Sequence, residues 1–263
     1  MNDSTHMRNT DYTQTELIVC AATRMLREIN TVFAGIGLPT LAVDLARKTV
    51  NKNIELIYES GVIGAQPEAM AEGIADSVLV SGAESVVTMQ ALFGYILQGG
   101  RIDLGFLGAA QVDRFGSLNT TVIGDWAQPK VRLPGSGGAA DIMANSNEIW
   151  VIIRRHDPAA FPEEVDFVTS ASPRKSRESG VGTPPQGHGV SRVITPLGIL
   201  SRPDKFGELI LTHIHPGVSV DHVKEQTGWD LQVAVDLQTT STPTQEEVRL
   251  LRDEIDTVRL YLR

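Results

Sequence analysis

The sequence predicts an α/β protein built on an open, mostly parallel sheet with flanking helices. Three observations predict it. Short apolar, β-prone runs at Thr31–Ala34, Ile54–Tyr58, Asp103–Gly108 and Ile149–Ile153 read as strands covered on both faces. Segments with helical spacing of apolar residues alternate with them. The early runs also break off into glycine, as Gly35-Ile36-Gly37-Leu38-Pro39 and Glu59-Ser60-Gly61-Val62-Ile63-Gly64, and Gly135-Ser136-Gly137-Gly138 has the same character further on. Sheets of this class bind ligands at the carboxyl ends of their strands, so an acid placed there, Glu59, marks a candidate site.

Taken in order, residues 1–12 are polar and expected to be loose. Thr13 with Glu16 three places on forms a capping box, and Leu17, Ile18, Ala21, Ala22, Met25, Leu26 and Ile29 make one buried helical stripe. After the first strand, Pro39 suits the opening turn of a helix that turns Leu41, Leu45 and Ala46 inward. The glycines at 35 and 37 suit either backbone approach to a phosphate or pantetheine, or a tight turn needing positive φ, and both readings stand. Ile54–Tyr58 then delivers Glu59. Pro67–Gly82 reads as irregular. A helix is expected around Glu84–Gln98, stopped by Gly99-Gly100. Asp113–Gly116 has turn chemistry, and Asn119–Gly124 is short and β-like. Residues 172–189, rich in Ser, Gly, Pro and Arg, read as a long loop, with Arg174, Lys175 and Arg177 expected on a solvated surface in preference to the alternative, contact with ligand phosphates or a dicarboxylate. Val190–Ile194 and Glu208–Ile214 read as two strands around a turn at Asp204–Gly207. Thr242-Pro243-Thr244-Gln245 opens a terminal helix striped by Val248, Leu251, Ile255 and Val258. No repeat and no linker divides the chain, so residues 13–263 are expected to form a single domain.

The totals narrow the function classes. A chain of 263 residues that is 41% hydrophobic has material for a sizeable core. No apolar run approaches a membrane span, and the first fifteen residues lack signal-peptide order. A net charge of −9 argues against broad nucleic-acid or anionic-membrane binding. The single cysteine, Cys20, excludes an internal disulfide, fits a cytoplasmic setting and lies on the apolar stripe of the first helix. Dinucleotide, P-loop, nucleophile-elbow and zincin signatures are missing. His213 and His215 would share a strand face, but without a third ligand they read as a packed or hydrogen-bonded pair, and no metal is expected.

Glu59 remains the chief candidate for chemistry. A carboxylate works as a nucleophile against an activated acyl group such as a thioester, because it must form an anhydride. Backbone N–H groups of a glycine turn such as Gly135, Ser136, Gly137 and Gly138 would stabilise the oxyanion that forms. These residues fit covalent acyl transfer without compelling it.

Ile57–Gly61, Leu107–Gly116, Asn119–Asp125, Pro129-Lys130 and Gly135–Ala139, in that order, resemble the β subunit of class I CoA-transferases, in the branch similar to glutaconate CoA-transferase. The wording of Tyr58–Ala65 and Gln98–Asp103 is closest to β subunits of the 3-oxoadipate type in aromatic catabolism. The resemblance runs from about residue 16 to the C-terminal helix, through His215–Val218 and Thr227-Gly228-Trp229.

It implies the class I CoA-transferase fold and transfer of CoA from an acyl-CoA such as succinyl-CoA to a carboxylic acid such as 3-oxoadipate. Glu59 would carry a glutamyl anhydride and then a glutamyl-CoA thioester, beside the Gly135–Gly138 loop. Gly61, Gln111 and Asn119 fall in matching motifs as positioning groups. The family also implies an α subunit partner, as αβ or α2β2, that completes the site and holds much of the CoA, with no tightly bound cofactor. The rival readings are a glutaconate-type transferase, a hydrolase or decarboxylase of CoA thioesters on the same fold, and a non-catalytic CoA-binding subunit. Retention of Glu59 favours transfer.

Overall fold

The computed structural model describes residues 12–180 and 186–263, so residues 1–11 of the expected loose N-terminus and 181–185 of the expected loop lie outside it. The first five strands are β1 (Thr31–Phe33), β2 (Glu55–Ile57), β3 (Val62–Ile63), β4 (Ser85–Val86) and β5 (Leu104–Leu107). Two small antiparallel hairpins follow, β6 (Gln111–Val112) with β7 (Leu118–Asn119) and β8 (Val122–Gly124) with β9 (Pro129–Arg132). Then come β10 (Glu148–Ile152), β11 (Val190–Ile194), β12 (Gly198–Ser201), β13 (Ile210–Ile214) and β14 (Val233–Thr239).

Apart from the two hairpins, these form one ten-stranded sheet in the order β14-β13-β12-β11-β10-β5-β1-β2-β3-β4. The central run β11-β10-β5-β1-β2 is parallel throughout. Antiparallel pairings extend it on both sides, and β14 joins β13 in parallel.

Period-2 alternation assigns each central strand to two cores. Val32, Leu56, Phe106 and Trp150 enter one, and Phe33, Ile57, Leu107 and Val151 enter the other. The first core is closed by α1 (Gln14–Met25) and α2 (Leu38–Thr49), together with C-terminal residues such as Leu250, Leu251 and Ile255. The capping box at Thr13 is present: its hydroxyl accepts from the Glu16 amide at 3.2 Å, and the Glu16 carboxylate accepts from the Thr13 amide at 2.7 Å. The second core is closed by α3 (Met89–Ala91), which continues as a π-helical turn over Leu92–Leu97, and by α4 (Ala139–Asn145).

Several elements differ from the sequence expectation. The helix expected over 84–98 begins only at Met89, because Ser85 and Val86 pair with β3 first. The segment 172–189, read as loop, contains α5 (Pro173–Ser179): Ser172 Oγ accepts from the Lys175 amide at 3.2 Å, Pro173 opens the helix and Gly180 closes it at φ 61°. Its polar composition hid a complete pair of stop signals. The two strands placed around Asp204–Gly207 are separated by β12, which is antiparallel to both neighbours. β12 follows Pro196 and begins at Gly198, whose Cα lies so close to the His213 carbonyl that a Cβ would stand 2.2 Å from it. Helix α6 (Val220–Glu225) and α7 (Gln245–Leu250), capped by Thr244, complete the elements.

Candidate active site at the carboxyl edge of the sheet

The chain passes from β1 to β2 on one side of β1 and later returns to its other side as β5. The connections that follow β1 and β5 therefore leave toward opposite sides, and the carboxyl edge between two such strands is where an open α/β sheet has its crevice. A cavity of about 210 Å³ lies there, lined by Phe33–Gly35 at the end of β1, Phe106–Gly108 at the end of β5, Glu59, Thr120, Gly135, Ser136, Ala139 and Ile142. Glu59 is the one charged residue in that lining.

Local geometry delivers Glu59 from the neighbouring strand. β2 and β3 are joined by a tight turn in which the Gly61 amide donates to the Tyr58 carbonyl at 2.9 Å and the Tyr58 amide donates to the Val62 carbonyl at 2.9 Å. Gly61 has φ 96°, and a Cβ there would stand 2.0 Å from the Val87 carbonyl oxygen. Only glycine allows the turn to close under the following strand. Glu59 thus projects half-buried from the apex of a short, pinned hairpin.

The glycine turn meets it from the other side. The Gly138 amide donates to Glu59 Oε1 at 3.1 Å. Gly138 is buried, and a Cβ on it would lie 2.9 Å from that oxygen and 2.7 Å from Phe93 Cζ. Further back, Gly105 in β5 has the same role for α4, since a Cβ there would stand 2.8 Å from Ile142 Cγ2. Two bare Cα positions let α4 settle on the sheet and bring the amide of its N-cap residue, Gly138, onto the carboxylate. Phe93, held edge-on against Phe33 at 6.0 Å, forms the wall beneath Gly138. Sequence reading missed Phe93, because it counts as one more apolar residue in a helical stripe.

The expected site residues separate into two groups. Glu59 and the Gly135–Gly138 turn come together. Gln111 and Asn119 are buried and do not line the cavity. Asn119 Nδ2 donates to Gln111 Oε1 at 2.7 Å and to the Val122 carbonyl at 2.6 Å, while its Oδ1 accepts from the Thr121 and Val122 amides. Gln111 Oε1 also accepts from the Asp166 amide at 3.0 Å. The pair thereby organises the strand edge that carries Thr120 into the crevice. Of the first glycine turn, Gly35 lines the cavity, while Gly37 takes φ 108° at the start of α2 and serves the turn.

Other polar groups are structural. His215 is buried between the Thr240 hydroxyl and the Thr195 carbonyl, and burial pushes it down to about 4; His213 contacts the Thr212 hydroxyl. His156 stacks on Phe161 between the hydroxyls of Thr195 and Thr227 and is likewise pushed down to about 4 by burial. Cys20 is buried in the first core, and desolvation raises its thiol. Among the described residues no three His, Cys, Asp or Glu side chains group as metal ligands, and no helix is long and apolar enough to cross a membrane.

Residues 15–226 match the family model described as Coenzyme A transferase. The chain is 43% identical to the B subunit of 3-oxoadipate CoA-transferase from Pseudomonas knackmussii over 92% of each chain. It is 30% identical to the B subunit of glutaconate CoA-transferase from Acidaminococcus fermentans over 96% of each. The crystal structure of glutaconate coenzyme A-transferase from the same organism superposes with a TM-score of 0.87 at 28% identity, covering 97% of this chain and 98% of that one. The chain belongs to the coenzyme A transferase family, and its sheet and flanking helices have the class I fold. Within that family it is a CoA-transferase β subunit.

Proposed function

We propose that this protein is the β subunit of a cytoplasmic CoA-transferase in which Glu59 is the nucleophile, moving CoA from succinyl-CoA or a similar acyl-CoA to a (di)carboxylic acid such as 3-oxoadipate. One observation carries the reading: the crevice at the sheet's carboxyl edge holds a single carboxylate, with the Gly138 amide 3.1 Å from its Oε1. Residues 13–263 act as one domain, completed by an α subunit in an αβ or α2β2 assembly. The CoA thioester is a substrate, and no resident cofactor takes part.

In the first step a Glu59 oxygen attacks the thioester carbonyl, and the C–S bond breaks to give a glutamyl–acyl anhydride and CoA thiolate. The thiolate then attacks the glutamyl carbonyl. This makes glutamyl-CoA and frees the first acid. The acceptor carboxylate reverses both steps, so that its own acyl group leaves on CoA and Glu59 is restored. In two of these four steps the negative charge grows on the glutamyl oxygen itself. The Gly138 N–H already points at Oε1, so it stabilises those tetrahedral states without reorganising. Gly61 fixes the hairpin that presents Glu59, while Gln111 and Asn119 act as the scaffold of the crevice edge.

The test is chemical trapping in the assembled enzyme. Co-express the chain with an α-type partner, add succinyl-CoA, and treat with hydroxylamine or borohydride. The expected result is modification of the peptide carrying Glu59, dependent on acyl-CoA, suppressed by the acceptor acid and missing in Glu59→Ala. Release of CoA that ignores the acceptor would make the protein a hydrolase. Unchanged function in Glu59→Ala, with no trapping, would make it a CoA-binding subunit.

A further inference from the structure

We propose that Thr120 is a positioning residue of the transfer reaction, holding the Gly135–Ser136 peptide so that the glycine turn stays in register on Glu59. The inference rests on Glu59 as nucleophile. Thr120 is half-buried in the crevice lining and grips Gly135 twice: its hydroxyl donates to the Gly135 carbonyl at 2.8 Å, and its carbonyl accepts from the Gly135 amide at 2.9 Å. Among the described residues, the side chains that hydrogen-bond the backbone of the 133–138 segment are those of Thr120 and Glu59.

The turn has reason to need such a clamp. Gly135 and Gly137 stand at φ 99° and 47°, with little steric confinement, and Pro134 has no N–H to contribute. A peptide unit between such residues rotates easily. Because that unit is planar and trans, fixing the Gly135 carbonyl also fixes the Ser136 N–H, which points the opposite way. The clamp is itself anchored. The Thr120 amide donates to Thr169 Oγ1 at 2.9 Å, Thr169 Oγ1 also contacts Thr121 Oγ1 at 2.7 Å, and the buried Gln111–Asn119 pair fixes the residues on either side. The chain of support therefore runs from a rigid buried network, through one hydroxyl, to the turn that carries the Gly138 amide.

The experiment compares Thr120→Val, Thr120→Ala and Thr120→Ser in the complex with the α-type partner. Valine keeps the branched shape and removes the hydroxyl; serine keeps the hydroxyl and removes the methyl. Misplacement of a reacting group by an ångström lowers rates by about 100-fold, so kcat is expected to fall by about 10- to 100-fold in the valine and alanine variants. KM for either substrate stays within about threefold, and trapping of Glu59 by hydroxylamine slows in step with kcat. Serine restores kcat to within about threefold. Wild-type kcat in valine or alanine, or a serine variant as slow as both, overturns the proposal. Glu59→Ala runs alongside: if it keeps activity, the nucleophile assignment has failed, whereas an inactive Glu59→Ala beside a normal Thr120→Val overturns the clamp alone. Should the valine variant not assemble, the alanine–serine comparison decides.

Discussion

An alanine at position 138 would set its methyl 2.9 Å from Glu59 Oε1 and 2.7 Å from Phe93 Cζ. The backbone itself has no objection, since Gly138 has φ −82°. The cost is therefore one of contact. Phe93 is braced against Phe33, so the carboxylate is the freer of the two to move. A shift of about 0.5 Å restores ordinary carbon–oxygen contact and stretches the 3.1 Å bond from the Gly138 amide past useful length. Removing an oxyanion donor costs about 2.7–4 kcal/mol of transition-state stabilisation, or roughly 100- to 1,000-fold in kcat. Overpacking against Phe93 adds about 1–3 kcal/mol of lost stability.

The assay is steady-state CoA transfer by the complex carrying Gly138→Ala, with denaturant unfolding of the same preparation. Gly73→Ala is the control, because nothing lies within 4 Å of its would-be Cβ. A Gly138→Ala enzyme with kcat within about threefold of wild type would refute the reasoning, since the methyl cannot be present while the amide still serves the carboxylate.

Two further outcomes follow from buried polar groups. His156 and His215 fall from an unfolded value of about 6.5 to about 4 in the fold, so the unfolded chain binds more protons between those limits. Stability is complete above pH 6.5 and declines toward pH 4, by up to about 3 kcal/mol per histidine. Burial lifts Asp44 to about 6, which opposes this over most of the window, so urea unfolding at pH 7 and pH 5 should compare wild type with His156→Asn. The variant should lose less stability on acidification, and an equal loss would refute the assignment. Glu16 is fully buried: desolvation would raise it, but hydrogen bonds from Arg252 and the Thr13 amide outweigh that and hold it below the usual carboxylate range. Glu16→Ala removes the buried carboxylate to which Arg252 donates and the reciprocal half of the α1 capping box, while Thr13 Oγ1 still accepts from the residue-16 amide. The lost charge-assisted hydrogen bonds should cost about 1.5–3 kcal/mol in denaturant unfolding, and a loss below about 0.5 kcal/mol would contradict it.

The legible parts of the chain were those in which one local interaction sets the outcome. Thr13 and Glu16 cap α1 because both partners lie within one turn, and Ile54–Tyr58 reads as strand because both its faces are apolar. Glu59 stood out for the same reason: an acid directly after such a run is local information. The segments that hid were those whose conformation is set from far along the chain. β12 exists because β11 and β13 flank it, and its four residues carry little signal beside Pro196 and Gly198. α5 was masked by composition although Ser172, Pro173 and Gly180 spell out its ends.

At the site the same division holds: two expected positioning residues are buried behind the crevice and do not line it. Gln111 and Asn119 belong to the motifs that mark the family, yet their amides are spent on each other and on backbone groups at Thr121, Val122 and Asp166. The residue that reaches the crevice is the one beside them, Thr120. Its hydroxyl donates to a carbonyl fifteen places away, at Gly135. Likewise Gly105 reads as a gap in a strand, and only the packing of Ile142 against it shows why a side chain there would push α4, and the Gly138 amide with it, off Glu59. A motif names the neighbourhood of a site; which member touches the reacting atoms is decided by contacts between segments that the motif does not contain.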